Sequence, residues 1–290
     1  MNLQSRSPIQ RLSTVLIAGS LLALGACSKS GNDTAAAAPQ AQPGEGLAEV
    51  VAGAHRSEAN RARDAHRHPV ETLTFFGIRP DMTVVELWPF GGWYTEILAP
   101  YLRDNGTLYA AGMDPETASP QELRYNESLN TLLSSNPELF SKVQVTALGK
   151  GNGNIAPEGS ADLVVSFRNV HNWVWADMDE EVWAAAFKAL KPGGVLGVVE
   201  HRHADPAFEP ATPGQAYVGE QWLIGKIEAA GFKFDASSDV NNNPNDTKDH
   251  PRGVWSLPPN FAAIEAEDRA KYEAIGESDR FTLRFVKPAR

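Results

Sequence analysis

The chain has 290 residues, of which 42% are hydrophobic and 21% charged, and its formal net charge is −10. This composition is that of a globular protein and excludes a disordered chain, a coiled coil or collagen. The acidic balance excludes a nucleic-acid partner, which would need a basic face, and the single cysteine excludes a disulfide framework or a multi-cysteine metal site.

The first 26 residues are predicted to be an export signal. Two arginines precede an apolar run from about Thr14 to Leu24, which is shorter than the roughly 20 residues that span a bilayer. The run ends in Leu-Gly-Ala-Cys at residues 24–27, which resembles a bacterial lipobox. That resemblance implies that Cys27 becomes the first mature residue and carries acyl chains. The alternative is a plain secretory signal with an incidental cysteine.

Residues 27–46 are predicted to be a disordered tether, because they contain no large apolar side chain. Ser28 follows the cysteine, and resemblance to lipoprotein sorting patterns implies delivery to the outer membrane. We therefore expect the protein in the cell envelope, on the periplasmic face of the outer membrane. Its only contact with the membrane would be the lipid anchor. The folded body is expected to begin near Leu47, so that residues 47–290 form a single domain.

Strand and helix patterns alternate along this body. A polar helical segment runs to about Phe76, and Pro69 is expected to begin a helix there rather than interrupt one. The predicted strands are 82–87, 107–113, 142–148, 162–167, 195–199, one that begins at 232, and 280–286. The predicted helices are 92–103, 121–133, 179–190 and 218–230. The alternation predicts an α/β fold with a doubly wound, mostly parallel seven-stranded sheet and helices on both faces.

Ligands of such sheets bind at the carboxyl ends of the strands, where the strand order reverses. Gly91 and Gly92 follow the first predicted strand, and two glycines there let the backbone approach a ligand closely. Asp114 follows the second strand, where a carboxylate can accept hydrogen bonds from both hydroxyls of a ribose. Because Asp114 precedes Pro115, ordinary turn chemistry is an alternative for it.

These motifs resemble the class I S-adenosylmethionine-dependent methyltransferases, and most of all a bacterial group of exported members. That group carries the loop Glu-Leu-Trp-Pro-Gly-Gly-Gly-Trp-Tyr. The matching segments are 63–64, 67–69, 86–95, 161–173, 190–194, 228–232, 243–246 and 255–259. The resemblance covers roughly residues 56–286 and implies a Rossmann-like methyltransferase fold with an antiparallel last strand.

The resemblance also implies S-adenosylmethionine as the cofactor. The cofactor-binding residues that it implies are Glu86, Phe90, Gly91, Gly92, Asp114 and Arg168. Glu86 would lie near the methionine amino group, although capping of the neighbouring helix is an alternative role. Asp114 would bind the ribose, and Arg168 would line the cofactor from the loop after Phe167.

Phe90 departs from the family pattern, because the group usually keeps a glycine there. Two arrangements are open. In the favoured one the turn accepts a side chain and the ring packs against the polar N-terminal segment. In the other the ring occupies part of the cofactor space, and a left-handed backbone would be costly for phenylalanine.

His171 and His201 are the candidate catalytic residues, because a histidine can take a proton from an acceptor near neutral pH. At least one of Arg168 and His171 is expected to face ligand. His201 and His203 form a His-x-His pair whose imidazoles share one face of an extended segment, which suits a metal. No third ligand stands at a telling spacing, so no metal site is predicted.

Four charged residues at 61, 63, 64 and 67 form either a solvated helix face or a lid over the cleft. The favoured function is methyl transfer to a small-molecule or exposed acceptor that the sequence does not identify. A non-catalytic ligand-binding lipoprotein on the same fold is the first alternative, because export removes the protein from the cytoplasmic cofactor pool. A nicotinamide-dependent oxidoreductase is the second, but the glycine loop lacks the Gly-x-Gly-x-x-Gly spacing.

Overall fold

The computed structural model describes residues 41–211 and 213–289. The predicted export signal and Cys27 lie outside these residues. Within them, no helix combines the length and the apolar character needed to cross a membrane. The backbone N–H of Gly44 donates to the carbonyl of Ile78 at 2.8 Å, so the folded chain begins a few residues before Leu47.

The polar N-terminal segment folds into four short helices. They are α1 (Leu47–Val51), α2 (Glu58–Ala62), α3 (Asp64–Arg67) and α4 (Pro69–Phe75). Pro69 is the first residue of α4, as predicted, because the missing N–H of proline has no partner to lose at that position. Arg56 donates to Asp64 within the segment at 2.7 Å and joins the segment to the body by donating to Glu96 of the fifth helix, residues 95–102, at 3.4 Å.

The seven strands form one sheet. They are β1 (Thr83–Leu87), β2 (Thr107–Met113), β3 (Gln144–Leu148), β4 (Ala161–Phe167), β5 (Leu190–His201), β6 (Lys233–Ser238) and β7 (Arg280–Val286). Their order is β3-β2-β1-β4-β5-β7-β6. Only β7 runs antiparallel to its neighbours, so the predicted mostly parallel, doubly wound sheet is confirmed.

Helices cover both faces of the sheet. They are α5 (Thr95–Leu102), α6 (Pro120–Ser135), α7 (Pro137–Phe140), α8 (Val170–Trp175), α9 (Asp179–Ala189), α10 (Glu220–Ala229), α11 (Arg269–Ile275) and a 3₁₀ turn at Gly253–Ser256. Alternate residues of β1 point to opposite faces. Val84 belongs to the core beneath α1, α4 and α5, and Val85 belongs to the core beneath α9 and α10.

The sequence did not predict α7, α8 or α11. The helix α8 matters most, because it begins three residues after β4 and carries His171. Its six residues are largely aromatic and β-branched, which are poor helix formers, and tertiary packing of the fully buried Trp173 stabilises them instead. The order of the strands reverses between β1 and β4, so this helix lies at the position where such folds bind ligands.

Candidate active site

Two cavities lie at the carboxyl ends of β1 and β4. The larger has a volume of about 760 Å³, which is within the range of small-molecule sites, and the smaller has a volume of about 270 Å³. They adjoin each other, because both are lined by Arg63, Arg67, Trp88, Phe90, Phe167 and Arg168. The predicted site residues divide between the two.

Glu86 lines the smaller cavity from the end of β1. Its side chain is buried, and its Oε2 accepts a hydrogen bond from the hydroxyl of Thr95 at 2.6 Å. Burial raises the pKa of Glu86 to about 7, although the bond from Thr95 acts in the opposite direction. The helix α5 has no side-chain cap, so Glu86 does not play the capping role that was its alternative.

The two glycines after β1 do different things. Gly91 is exposed, lines the smaller cavity, and has open space where a side chain would stand. Gly92 is buried with a φ of +82°, and a methyl group there would collide with the side chain of Leu132 on α6. Gly91 is therefore the glycine that a ligand can approach, whereas Gly92 serves the packing of the turn.

Trp88 and Phe90 both adopt left-handed backbone conformations, with φ of 43° and 51°. The turn holds the side chain of Phe90, as the favoured arrangement predicted, but in a left-handed conformation that is uncommon for such a residue. The predicted neighbours of the ring were wrong. Phe90 packs edge-on against Tyr125 of α6 at 4.6 Å and against Trp88 at 6.5 Å, not against the N-terminal segment. The half-buried ring forms part of the wall of both cavities.

Asp114 is buried at the end of β2 and already has partners. One carboxylate oxygen accepts from the side-chain amide of Asn152 at 3.0 Å, and the other accepts from the backbone N–H of Glu116 at 3.1 Å. It is not among the residues that line either cavity. These contacts are the turn chemistry that was its alternative, and binding of a ribose remains a prediction.

Arg168 follows β4 with a φ of 62°, an uncommon conformation for a residue with a side chain. Its guanidinium lines both cavities and makes no hydrogen bond or ion pair with another residue of the described chain. Burial, and next the nearby Arg280, lower the pKa of Arg168 to about 10. It therefore stays a cation at neutral pH.

The carboxylate of Glu277 lies beside this arginine and binds three others. It accepts from Arg63 at 2.6 Å, from Arg67 at 3.1 Å and from Arg280 at 2.8 Å. Burial would raise the pKa of Glu277, but the surrounding arginines lower it well below its usual range. Sequence reasoning missed Glu277, because it is 210 residues away from Arg67 and no local pattern marks it.

The four charged residues at 61, 63, 64 and 67 do not share one role. Arg63 and Arg67 line both cavities, so this part of the segment does cover the cleft. Asp64 instead binds Arg56, and Arg61 is exposed to solvent. The prediction of a lid over the cleft is thus correct for Arg63 and Arg67, and that of a solvated helix face is correct for Arg61.

His171 and His201 both line the larger cavity and are buried. The Nδ1 atom of His171 lies 3.3 Å from Oε1 of Glu200, and the Nδ1 atom of His201 lies 2.6 Å from the hydroxyl of Ser278. Burial, followed by the neighbouring His171 and Arg280, holds the pKa of His201 well below its usual value. His201 is therefore neutral at physiological pH.

His171, Glu200 and His201 present ligand atoms that all lie within 4.8 Å of one another. Glu200, however, is already engaged, since it accepts from the backbone N–H groups of Val170 at 2.7 Å and His201 at 2.8 Å. A carboxylate held in this way fixes the tautomer of His171, with the proton on Nδ1 and Nε2 free. The geometry is that of an oriented base more than that of a metal centre.

Glu200 was not predicted from the sequence. Its position, as an acidic residue at the end of an apolar strand, is a signal that could have identified it. The predicted His-x-His face is also corrected. His203 turns away from His201 and stacks on Phe208 at 3.8 Å, since β5 ends at His201 and the alternation ends with it.

The segment 243–246, one of the segments that carry the resemblance, has a structural role. The carboxylate of Asp246 is buried and accepts from the hydroxyl of Tyr217 at 2.9 Å and from the backbone N–H of Asp279 at 2.8 Å. None of the four residues lines the larger cavity. Trp255 does line it, 5.9 Å from Trp175.

No protein-family model matches the chain, and no curated protein matches it at a significant level. Solved structures share its fold. A SAM-dependent methyltransferase from Aquifex aeolicus is 15% identical, with a TM-score of 0.51 over 84% of this chain and 98% of its own. The glycopeptide N-methyltransferase MtfA is 13% identical, with a TM-score of 0.50 over 78% of this chain and 91% of its own. The cyclase SpnF is 16% identical, with a TM-score of 0.50 over 86% and 94%. The predicted Rossmann-like methyltransferase fold is confirmed.

Proposed function

We propose that the protein is an S-adenosylmethionine-dependent methyltransferase whose acceptor is a small molecule or an exposed group. One observation carries the proposal. Glu86 and Arg168 come from the ends of β1 and β4, the two strands between which the order reverses, and line the same small cavity. His171 lines the adjoining larger cavity, where an acceptor has room.

The residues of the smaller cavity suit the methionine part of the cofactor. A buried carboxyl with one partner, Glu86, and a guanidinium with none among the described residues, Arg168, match the ammonium and carboxylate of an amino acid. The open space over Gly91 accommodates the chain between them. Asp114 accepts two hydrogen bonds, and a carboxylate has about four lone-pair sites, so it retains capacity for a ribose hydroxyl.

When bound, S-adenosylmethionine supplies a methyl group on a positively charged sulfur. The protein then has to align an acceptor and exclude water. His171 would take the proton of an acceptor hydroxyl or amine on its Nε2 atom, and Glu200 would hold the ring by accepting from Nδ1. Trp175 and Trp255 wall the larger cavity against solvent.

Calorimetric titration with S-adenosylmethionine, S-adenosylhomocysteine and NAD tests the proposal. We expect binding heat with the first two compounds and none with NAD. Glu86→Gln should weaken the binding of S-adenosylhomocysteine by about 1–3 kcal/mol, the scale of a hydrogen bond to a charged group. The exposed Glu116→Gln is the matched control. No heat with either sulfur compound contradicts the function, and an unchanged affinity in Glu86→Gln and Asp114→Asn places the ligand elsewhere.

A second candidate is a non-catalytic ligand-binding protein on the same fold. The specific observation in its favour is the ring of Phe90, which stands in the wall between the cavities where the family pattern has glycine. The cyclase SpnF has a similar fold, so the fold does not by itself determine methyl transfer. Binding of an acceptor without any binding of S-adenosylmethionine would favour this candidate.

We also propose that Cys27 anchors the protein to the envelope through acyl chains, facing the periplasm from the outer membrane. The support is the sequence alone: the only cysteine of the chain ends the apolar run. Cys27→Ser should block acylation, leave unprocessed precursor, and prevent labelling by a fatty-acid probe. Normal processing and membrane retention of that variant would contradict the anchor.

A further inference from the structure

Arginines cluster at the wall shared by the two cavities: Arg63, Arg67 and Arg168 line both cavities, and Arg280 is next to them but lines neither. Four guanidinium groups, those of Arg63, Arg67, Arg168 and Arg280, surround a single carboxylate, that of Glu277. The count is four positive charges against one negative, which leaves three uncompensated. Arg67 and Arg280 are buried, so water does little to screen them.

The other acidic residues that line the cavities, Glu86 and Glu122, form no ion pair with these arginines within the described chain. Glu86 accepts from Thr95, and Glu122 accepts from the backbone N–H of Ser119 at the start of α6. Buried cations without counter-charges are costly, and the protein keeps them in the wall of a cavity that a ligand can enter. Arginine also matches the planar geometry of a carboxylate or a phosphate better than lysine does.

Two tryptophans also line the larger cavity. Trp175 lies 5.0 Å from His171 and 5.9 Å from Trp255, measured between ring centroids, and both tryptophans are half-buried. The cavity therefore offers both cations and flat apolar surface, and no residue of the described chain bonds to the Nε2 atom of His171. A ligand that fits it has an anionic end and an apolar or aromatic body.

We propose that the methyl acceptor is an organic anion whose carboxylate or phosphate is bound by Arg63 and Arg67, while Arg168 holds the carboxylate of the cofactor. This rests on the proposed function. The methionine carboxylate of the cofactor would take up one of the three uncompensated charges, and its ammonium would pair with Glu86. Two positive charges remain for the acceptor, and they hold it beside His171.

Benzoate and its neutral isostere benzamide test the site, with binding to the full chain followed by calorimetry and by tryptophan fluorescence. We expect benzoate to bind at least tenfold more tightly than benzamide, and high salt to weaken only benzoate. Tighter binding of phenyl phosphate than of benzoate supports the site with phosphate as the recognised group. Equal binding of benzoate and benzamide, or no saturation by either anion up to about 10 mM, overturns the proposal.

Arg63→Gln should weaken benzoate at least tenfold and leave the fold intact, because Arg67 and Arg280 still bind the carboxylate of Glu277. The matched control is Arg61→Gln, which makes the same change of charge on an exposed residue of the same N-terminal region. Thermal melting of both variants checks that they are folded. Equal weakening by the two substitutions overturns the proposal, since it would reflect net charge and not a site.

A last measurement separates the acceptor from the cofactor. Benzoate is titrated again in the presence of saturating S-adenosylhomocysteine, and we expect its affinity to change less than threefold. Complete loss of benzoate binding would show that the arginines hold the carboxylate of the cofactor, and would overturn the assignment to the acceptor. If benzoate binds and S-adenosylhomocysteine does not, the proposed function fails while the anion site stands.

Discussion

Asp114 and Arg168 occupy equivalent places, each directly after a parallel strand at the same edge of the sheet, but their surroundings differ. The carboxylate of Asp114 is satisfied by Asn152 and by a backbone N–H group, and lines neither cavity. The guanidinium of Arg168 stands on a left-handed backbone, has no partner in the described chain, and lines both. Asp114 therefore stabilises a turn, whereas Arg168 is available to bind a ligand.

The difference gives a criterion for the whole site. A polar group whose hydrogen-bond partners all lie within the protein has a structural role. A strained or unpaired polar group in a cavity wall indicates a ligand. By this criterion Glu86, with one hydrogen bond and a raised pKa, belongs with Arg168. Glu277 belongs with Asp114, because both oxygens of each carboxylate already accept hydrogen bonds from the protein.

The largest expected effect is at Glu277, the internally satisfied group. Glu277→Gln removes the anion shared by Arg63, Arg67 and Arg280, and should lower the free energy of unfolding by about 3 kcal/mol or more. Arg168→Gln, which removes an unpaired cation, should change it by less than about 1 kcal/mol. Chemical denaturation measures both. A loss at Arg168 as large as that at Glu277 would break the comparison.

The second prediction concerns pH and Glu86. Its folded-state pKa is raised from 4.5 to about 7, so the folded protein holds this proton more tightly than the unfolded chain does. The resulting stabilisation is complete below pH 4.5 and is lost as the pH rises through 7. Glu86→Gln stays neutral and can still accept from Thr95, so it should exceed the wild type by about 2–3 kcal/mol at pH 8 and match it at pH 4. Parallel stability–pH curves for the two proteins would contradict the shift.

The two adjacent glycines of the first loop allow the same comparison between a structural residue and a ligand-binding one. Gly92→Ala places a side chain at positive φ and against Leu132, and should cost about 2 kcal/mol of stability. Gly91→Ala meets open space and should cost less than about 0.5 kcal/mol, yet weaken S-adenosylhomocysteine. Denaturation and calorimetry on the same two variants decide the matter. The reverse pattern would assign the ligand to Gly92.

The fold was accessible from the sequence because hydrophobic patterning is local. The apolar runs of β4 and β5, and the alternation of strand and helix patterns around them, predicted the sheet. The residues that the structure adds to the site, Glu200 and Glu277, were not accessible in the same way. Glu277 meets Arg67 only through the tertiary fold, and the pairing of Glu200 with His171 requires α8, whose sequence does not favour a helix.

The last prediction is a small net effect on stability for Phe90→Gly, which tests the strained loop itself. Glycine relieves about 1 kcal/mol of left-handed strain, and the lost contacts of the half-buried ring with Tyr125 and Trp88 cost a similar amount. The free energy of unfolding should therefore change by less than about 1 kcal/mol. The affinity for S-adenosylhomocysteine should stay within threefold, because the substitution leaves the proposed cofactor contacts of Glu86, Gly91 and Arg168 in place. A tightening of tenfold or more would show that the ring stands in the cofactor's place, and the native chain would then be the ligand-binding relative of a methyltransferase and not an enzyme.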